Sequence, residues 1–491
     1  MHQNIVALSS IGRLESPSDS NGCAAANRDN AASCGTATRP EGLPQPVWAK
    51  VQDHPCYSED AHHYFARMHI AVAPACNIQC NYCNRKYDCS NESRPGVVSE
   101  KLTPQQALEK TLAVAAEVPQ LSVVGVAGPG DALANAERTF AAFALVAQAL
   151  PHLKLCLSTN GLALPDHVDR IVAMGVDHVT ITINMVDPRI GAQIYPWIFF
   201  RHRRWEGIDA SRILHERQME GLEALTARGV LVKVNSVLIP GVNEEHLTTV
   251  NEAVRARGAF LHNVMPLISD AAHGTHFGLT GRRGPTPDEL RAAQDRLGVN
   301  AKLMRHCRQC RADAVGLLGE DRGAEFTLDK LEAMKPFDPR RREMYLSVVE
   351  RERADRREAE EAAQMEVTTP SGPLLVAVAT KGGGRINLHF GHATEFQIYE
   401  VDSRGARFVG HRRTEQYCGD GHGEDAAMAA TIAALEGVSA LLCAKIGERP
   451  RERLAAAGVT ATDQYAFEYI EASAITWCLT SFRTAERAAS A

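Results

Sequence analysis

Residues 66–89 read ARMHIAVAPACNIQCNYCNRKYDC. The first part, Met68-His69-Ile70-Ala71-Val72, alternates apolar positions and predicts a strand over 67–73. The strand runs straight into Cys76, Cys80 and Cys83, a Cys-x3-Cys-x2-Cys spacing. Cysteine thiolate is the usual ligand of iron–sulfur clusters. Three thiolates this close can hold three irons of a [4Fe-4S] cluster and leave the fourth iron open to a small molecule. Zinc is the competing reading. It favours four closed ligands and commonly pairs two Cys-x2-Cys units, which this run does not do. A strand that ends in such a loop is where a barrel enzyme places its chemistry.

Outward from this loop, residues up to about 300 alternate strand and helix. Strands are predicted over 67–73, 121–126, 154–158, 178–183, 231–239 and 259–264. Helix starts are marked by Thr103, Pro104 and Gln106, and again by Thr286, Pro287 and Glu289. The alternation means βαβ units around a parallel sheet. Residues 1–45 are rich in Asn, Ser, Ala, Gly and Pro and are expected to be disordered, with Cys23 and Cys34 as plain thiols. Residues 46–325 form the first domain. Residues 326–370 carry a dense mixed-charge run, PRRREMYLSVVERERADRREAEEAAQME, expected to be a solvated linker helix. A strand, LLVAVAT, then opens a small α/β domain over 371–485. Its Lys381-Gly382-Gly383-Gly384 lacks Walker spacing and reads as a turn.

Composition sets limits. A chain of 491 residues with 45% hydrophobic content suits two or three globular domains. A net charge of -6 argues against a nucleic-acid partner. No apolar run reaches the roughly 18 residues that span a bilayer, and the N-terminus carries no secretion signal. Thirteen cysteines in a cytoplasmic chain point to metal or redox chemistry rather than disulfides. Cys56, Cys89 and Cys156 surround the first motif. Cys307 and Cys310 form a Cys-x2-Cys after the last helix of the first domain, and His62 and His63 follow Cys56. Together these supply ligands for further clusters.

The three-cysteine loop resembles that of the radical S-adenosylmethionine (SAM) family. The resemblance implies a six-stranded partial (β/α)6 barrel, open on one side. It also implies a [4Fe-4S] cluster whose open iron chelates SAM and cleaves it to a 5′-deoxyadenosyl radical. Within that family, HPCYSEDAHHYFARMHIAVAPACNIQCNYCNRKYDCSNESRPGVVSEKLTP, GVAGPGDALAN, LSTNGLALP, ITINMVDP, VKVNSVLIPGVNEEHL and PLISDAAHGTHFG are similar to the nitrogenase cofactor maturases. The final domain resembles the NifX family of cofactor-binding domains.

The resemblance implies roles. Cys76, Cys80 and Cys83 would hold the SAM cluster, with the Tyr82 backbone near the adenine. Gly130 and Asp131, in a Gly-Pro-Gly-Asp run where the wider family often has Gly-Gly-Glu, would contact the methionine amino group. Thr159, Asn160, Thr182 and Asn184 would face the ribose or carboxylate. His62, Cys89 and Cys156 would hold one auxiliary [4Fe-4S] cluster, and Cys56, Cys307 and Cys310 the other. His389, His392 and Cys418 are candidate product contacts. The implied reaction fuses the two auxiliary clusters. One SAM gives a methyl group to a cluster sulfide, and a second gives the radical that takes hydrogen from it. The carbon ends as a carbide in an eight-iron, nine-sulfur precursor of the nitrogenase cofactor. Implied partners are an iron–sulfur cluster donor, an electron donor such as ferredoxin or flavodoxin, and a cofactor carrier or scaffold. Two alternatives stand beside this: another radical SAM enzyme with auxiliary clusters, and a non-catalytic iron–sulfur carrier.

Overall fold

The computed structural model describes residues 39, 43–91, 96–298, 303–307, 309–333, 336–365, 373–402, 405–414, 416–417 and 424–489. The expectations for residues 1–38, with Cys23 and Cys34, and for Cys418 lie outside the described residues.

Six strands follow one another as the apolar runs predict: β1 (Ala66–His69), β2 (Leu121–Val126), β3 (Lys154–Thr159), β4 (His178–Thr182), β5 (Leu231–Leu238) and β6 (Leu261–Pro266). They pair in parallel in that order, and a short β7 (Val315–Gly316) adds antiparallel to β1. The sheet ends at β7 and β6, which do not pair with each other, so the barrel is open. Strands β2, β4 and β5 are buried at every position, the pattern of a parallel sheet covered on both faces.

Helices α1 (Pro104–Glu117), α2 (Ala136–Ala149), α3 (Val168–Ala173), α4 (Gly207–Thr226), α5 (Leu247–Ala256) and α6 (Pro287–Gly298) supply the outer layer. Both predicted capping boxes form. Gln106 N–H donates to Thr103 Oγ1 at 3.3 Å while Thr103 N–H donates to Gln106 Oε1 at 2.9 Å. Thr286 and Glu289 repeat the exchange at 3.2 and 2.8 Å. One apolar core joins Met68, Val124, Leu157, Ile181 and Val234 of the strands to Val114, Phe143 and Leu222 of the helices.

The C-terminal sheet holds β8 (Leu374–Val378), β9 (Glu395–Asp402), β10 (Gly405–Arg413), β11 (Ala440–Leu442) and β12 (Thr460–Thr462), in the order β10-β9-β8-β11-β12. Its two faces pack separate cores, one around Phe390 and Phe396, the other around Tyr399 and Phe408.

The mixed-charge run is one helix, mostly solvent-exposed, with a single docked face. Helix α7 (Pro339–Met365) is charged but lies clamped between the barrel and the C-terminal domain. Val349 and Tyr345 pack on Ala61, Tyr64 and Phe65. Arg353 donates to Gln52 O at 2.8 Å and pairs with Asp60 at 2.7 Å. Arg356 bridges Asp60 and Glu471, the latter on α8 (Ile470–Ala489). Part of the charge is spent on backbone carbonyls and ion pairs of two neighbours, while Arg340, Glu350 and Arg351 are exposed. The glycine turn is a turn, as read, with positive φ at Gly382, Gly383 and Gly384. Gly383 N–H donates to His63 O at 3.1 Å, a further tie to the barrel.

Candidate functional site: two groups of thiols in the barrel mouth

Strand β1 delivers the chain to the C-terminal edge of the sheet, and the Cys76–Cys83 loop lies just beyond it. Four contacts fix the loop. Ile78 and Gln79 pair with Ile198 and Trp197 of a hairpin, residues 197–206. Gln79 Nε2 donates to the carbonyls of Cys80 and Cys83 at 3.0 and 2.8 Å. Arg85 donates to Ile78 O at 2.7 Å and lies 5.1 Å over the Trp197 ring. Asn160 Nδ2 donates to Asn77 Oδ1 at 2.7 Å and reaches Cys76 Sγ at 3.8 Å.

The Gly-Pro-Gly-Asp run lies against this loop. Gly130 N–H donates to Ala73 O at 2.6 Å, and Asp131 N–H to Ala75 O at 2.8 Å. A Cβ on residue 130 would stand 2.1 Å from Ala75 O, so only glycine fits. The buried Asp131 carboxylate accepts from Leu133 and Ala134 N–H, from Thr159 Oγ1, and from Asn160 N–H at 2.6 Å. Asp131 therefore ties the second strand's loop to the third's. Thr182 lies 3.5 Å from Asn91 O, and Asn184 Nδ2 donates to the hydroxyls of Tyr82 and Tyr195 at 2.6 and 2.9 Å.

Burial pushes the Cys76 thiol up to about 12, with Asp131 adding to the shift. It also raises the Cys80 and Cys83 thiols, Cys80 well above the ordinary value. Arg85 pulls the other way, but burial outweighs it and the thiols stay protonated. Iron supplies the charge that makes them thiolates. Three soft donors on one pinned, low-dielectric loop fit an iron–sulfur cluster.

A second group lies deeper. The thiols that raise the Cys56 thiol electrostatically are Cys310, Cys156 and Cys307, after burial itself. Those acting on Cys89 are Cys83, Cys76 and Cys80. Cys56, Cys307 and Cys310 pack against one apolar cluster of Leu261, Met304 and Leu318. Cys156 lies within reach of that group, and Cys89 within reach of the first loop. The His62 ring is 5.0 Å from that of His306, the neighbour of Cys307, and 6.1 Å from Phe408 of β10. Among the described residues no three His, Cys, Asp or Glu side chains converge tightly enough to hold a single metal ion. Ligands of a four-iron cube stand wider apart than those of one ion. His389 and His392 lie elsewhere, with rings 5.0 Å apart beside Phe390.

Sequence reasoning missed a layer of polar residues. Asn91 O accepts from Asn235 Nδ2 at 2.9 Å, and Asn235 Oδ1 accepts from Asn263 Nδ2 at 3.0 Å. Gln218 of α4 donates to the carbonyls of Asn160 and Thr182. Lys233, 5% exposed, favours thiolate at both Cys56 and Cys307. The signal was available: Asn and Lys are depleted in strands, yet β5 and β6 carry them in the middle.

Comparisons with known proteins bear on these residues. The radical SAM superfamily profile matches residues 70–253. The dinitrogenase iron-molybdenum cofactor profile matches residues 372–477. The chain is 61% identical over 491 residues to the FeMo cofactor biosynthesis protein NifB of Sinorhizobium fredii, covering 100% of this chain and 98% of that one. It is 64% identical over 429 residues to NifB of Rhodobacter capsulatus, covering 87% and 95%. To NifB of Azotobacter vinelandii it is 55% identical over 459 residues, covering 90% and 91%. Among solved structures, methylornithine synthase matches at 16% identity and a TM-score of 0.33, over 61% of this chain and 90% of that one. This last likeness is too slight to carry weight. No described helix is long and apolar enough to cross a membrane. With a radical SAM barrel, a dinitrogenase cofactor domain and near full-length identity above one half, the chain belongs to the NifB family of FeMo cofactor biosynthesis proteins.

Proposed function

We propose that this radical SAM enzyme fuses two [4Fe-4S] clusters and inserts a SAM-derived carbide and a sulfide, giving the eight-iron, nine-sulfur carbide precursor of the FeMo cofactor. The lyase-like chemistry is that of carbide insertion. The observation that carries the reading is the second thiol group, Cys56, Cys156, Cys307 and Cys310, inside the same barrel as the three-cysteine loop. One SAM cluster needs three thiols, and this barrel holds eight.

Cys76, Cys80 and Cys83 would hold the resident cluster, which when bound supplies the electron that cleaves SAM. Gly130 lets its loop pack directly on the Ala75 carbonyl beside the cluster loop, and Asp131 holds Thr159 and Asn160 at the strand ends where SAM would bind. Asn184 holds the Tyr82 hydroxyl and so steadies the backbone that would face the adenine. The two cluster substrates would sit on His62, Cys89 and Cys156, and on Cys56, Cys307 and Cys310. Lys233 offsets their negative charge. Holding the reactants in register is worth roughly 7–11 kcal/mol of barrier.

The division into a barrel over 46–325, a helix and a cofactor-binding domain over 371–485 belongs to the same reading. So do a cytoplasmic location and the partners: a cluster donor, a ferredoxin- or flavodoxin-like electron donor, and a cofactor carrier. Anaerobic iron and sulfide analysis tests it, combined with deoxyadenosine measurement after reduction with SAM. About twelve irons per chain and deoxyadenosine formation are expected. A ceiling near four irons ends the maturase reading, and a loaded chain that forms no deoxyadenosine is a carrier.

A further inference from the structure

The 197–206 hairpin braces the cluster loop from outside and carries more than bracing needs. Its first strand pairs with the loop, Trp197 opposite Gln79, the residue before Cys80. Its second strand, Arg203–Glu206, is an edge of that small sheet. Trp197 and Phe199 share one face of the hairpin with their partners Glu206 and Arg204. That face points outward, since Phe199 is 50% exposed and Ile198, on the other face, is buried. Ile208, just past the hairpin, is 55% exposed.

The exposed charge here is mostly positive. Arg201, Arg203 and Arg204 stand out on the hairpin against Glu206 alone, and Arg85 and Lys86 follow the cluster cysteines. The chain as a whole carries -6. Arg204 pairs with Glu206 at 2.8 Å, whereas Arg201 and Arg203 have no ion pair among the described residues. Edge strands use charge of either sign to prevent pairing, so that role leaves the sign unexplained. Aromatic rings hold the guanidiniums in place. Arg85 and Arg204 lie 5.1 and 5.0 Å from the Trp197 ring centre, Arg203 4.2 Å from that of Trp205 and Arg201 5.2 Å from that of Phe200. Cations held in this way lose little freedom on meeting a partner. The tip is strained as well. Arg201 and His202 take left-handed φ of 50° and 59°, where Asn-Gly would sit more easily. Strain of this kind persists where the side chains are used.

We infer that this hairpin face docks a small acidic electron-carrier protein, the reductant of the resident cluster. The site rests on the proposed function, in which that cluster must be reduced again for each SAM cleaved, and adds where the reductant binds. Three features select such a partner. Its charge must oppose that of the arginines. An exposed aromatic and aliphatic surface with arginines around it has the composition of a protein interface. The face also adjoins the cluster loop. Neighbouring strands lie about 4.8 Å apart, so a partner seated on Trp197 stands one strand from the Gln79–Cys80 backbone. On docking, the carrier gives up one electron and the cluster gains it; no bond forms or breaks.

The test uses the full-length chain under anaerobic conditions, with an acidic flavodoxin as the probe. Two quantities are read. One is the Kd of oxidised flavodoxin for the chain. The other is the rate of deoxyadenosine formation driven by reduced flavodoxin or by dithionite, a reductant too small to need a docking face. Arg201→Glu with Arg203→Glu weakens binding roughly tenfold at low salt. The difference closes toward about 1 M salt, where the screening length is about 3 Å. Below saturation the flavodoxin-driven rate falls by the same factor, and the dithionite-driven rate stays. Arg201→Lys with Arg203→Lys keeps the charges, the affinity and both rates. If the acidic variant fails to fold, Arg201→Gln with Arg203→Gln removes the charges alone and weakens binding in the same direction. Wild-type affinity in the Glu and Gln variants overturns the inference. So does an equal loss with both reductants, which makes the hairpin part of the active site. A loss confined to iron loading gives the face to the cluster donor and overturns it too. A wild-type chain that forms no deoxyadenosine with dithionite overturns the proposed function. One that forms it with dithionite but never with flavodoxin overturns only the docking face.

Discussion

The Nε of Arg67 lies 3.2 Å from the Sγ of Cys310, across 243 residues of sequence. Arg67 is 2% exposed, and its other nitrogens donate to the carbonyls of Leu317 and Glu320, each at 3.0 Å. The guanidinium thus fixes the loop after Cys310 and the sulfur itself. Hydrogen bonds to ligand sulfur raise a cluster's reduction potential. Arg67→Lys keeps the charge but loses the planar fork. The potential of the auxiliary cluster should fall on the order of 50 mV, as one such bond implies, with iron content nearly kept. An unchanged potential in a redox titration would make Arg67 a packing residue only.

The first loop and the deeper thiols have separate supports, one from the 197–206 hairpin and the other from β1, β5 and Arg67. Replacing Cys76, Cys80 and Cys83 together with Ala should remove about four of twelve irons and all deoxyadenosine formation. The remaining irons stay. Loss of every iron would mean that the deeper sites cannot fill without the first.

Much of the barrel was legible because its strands are buried on both faces and read as apolar runs. The bounds of β2 match the prediction, and β3 and β4 differ by one residue at one end. The hairpin that braces the cluster loop was not legible. Its turn, Arg201-His202, takes left-handed φ of 50° and 59° without the Asn or Gly that marks such turns. The first loop's cysteines announced themselves by spacing. Arg67, Asn235 and Asn263 did not, because their partners lie on other strands and in a distant loop. The docked face of helix α7 was not legible for a physical reason: arginines that bond carbonyls look, in sequence, like arginines in water.

That helix sets where the chain can be cut. Arg356, 11% exposed, joins Asp60 beside the His62 segment to Glu471 of α8. A chain ending at residue 338 loses these ties and the cover of Tyr64 and Phe65. It should unfold more readily than one ending at residue 365, and bind fewer auxiliary irons. Within the full chain, Arg356→Met leaves a buried carboxylate unpaired and should cost about 3–5 kcal/mol. Urea unfolding under anaerobic conditions measures both. Equal stability of the two shortened chains would return α7 to the role of a linker.

Acid should weaken the barrel through His262. Its ring sits between Ser236 Oγ and Asn251 Oδ1, each at 2.9 Å, and burial alone lowers it from 6.5 to about 4. The unfolded chain takes up a proton at His262 below 6.5, while the folded chain does not until about 4. Stability is therefore complete above 6.5 and is lost as pH falls from there toward 4. Between pH 7.5 and 5.5 the loss from this residue is about 1.3 kcal/mol. His262→Gln removes that part of the slope, since an amide serves Ser236 and Asn251 without titrating. The check is the difference in urea midpoint between the two pH values, in wild type and variant. If the variant shows the wild-type difference, other buried histidines, such as His54 and His178, carry the acid sensitivity instead.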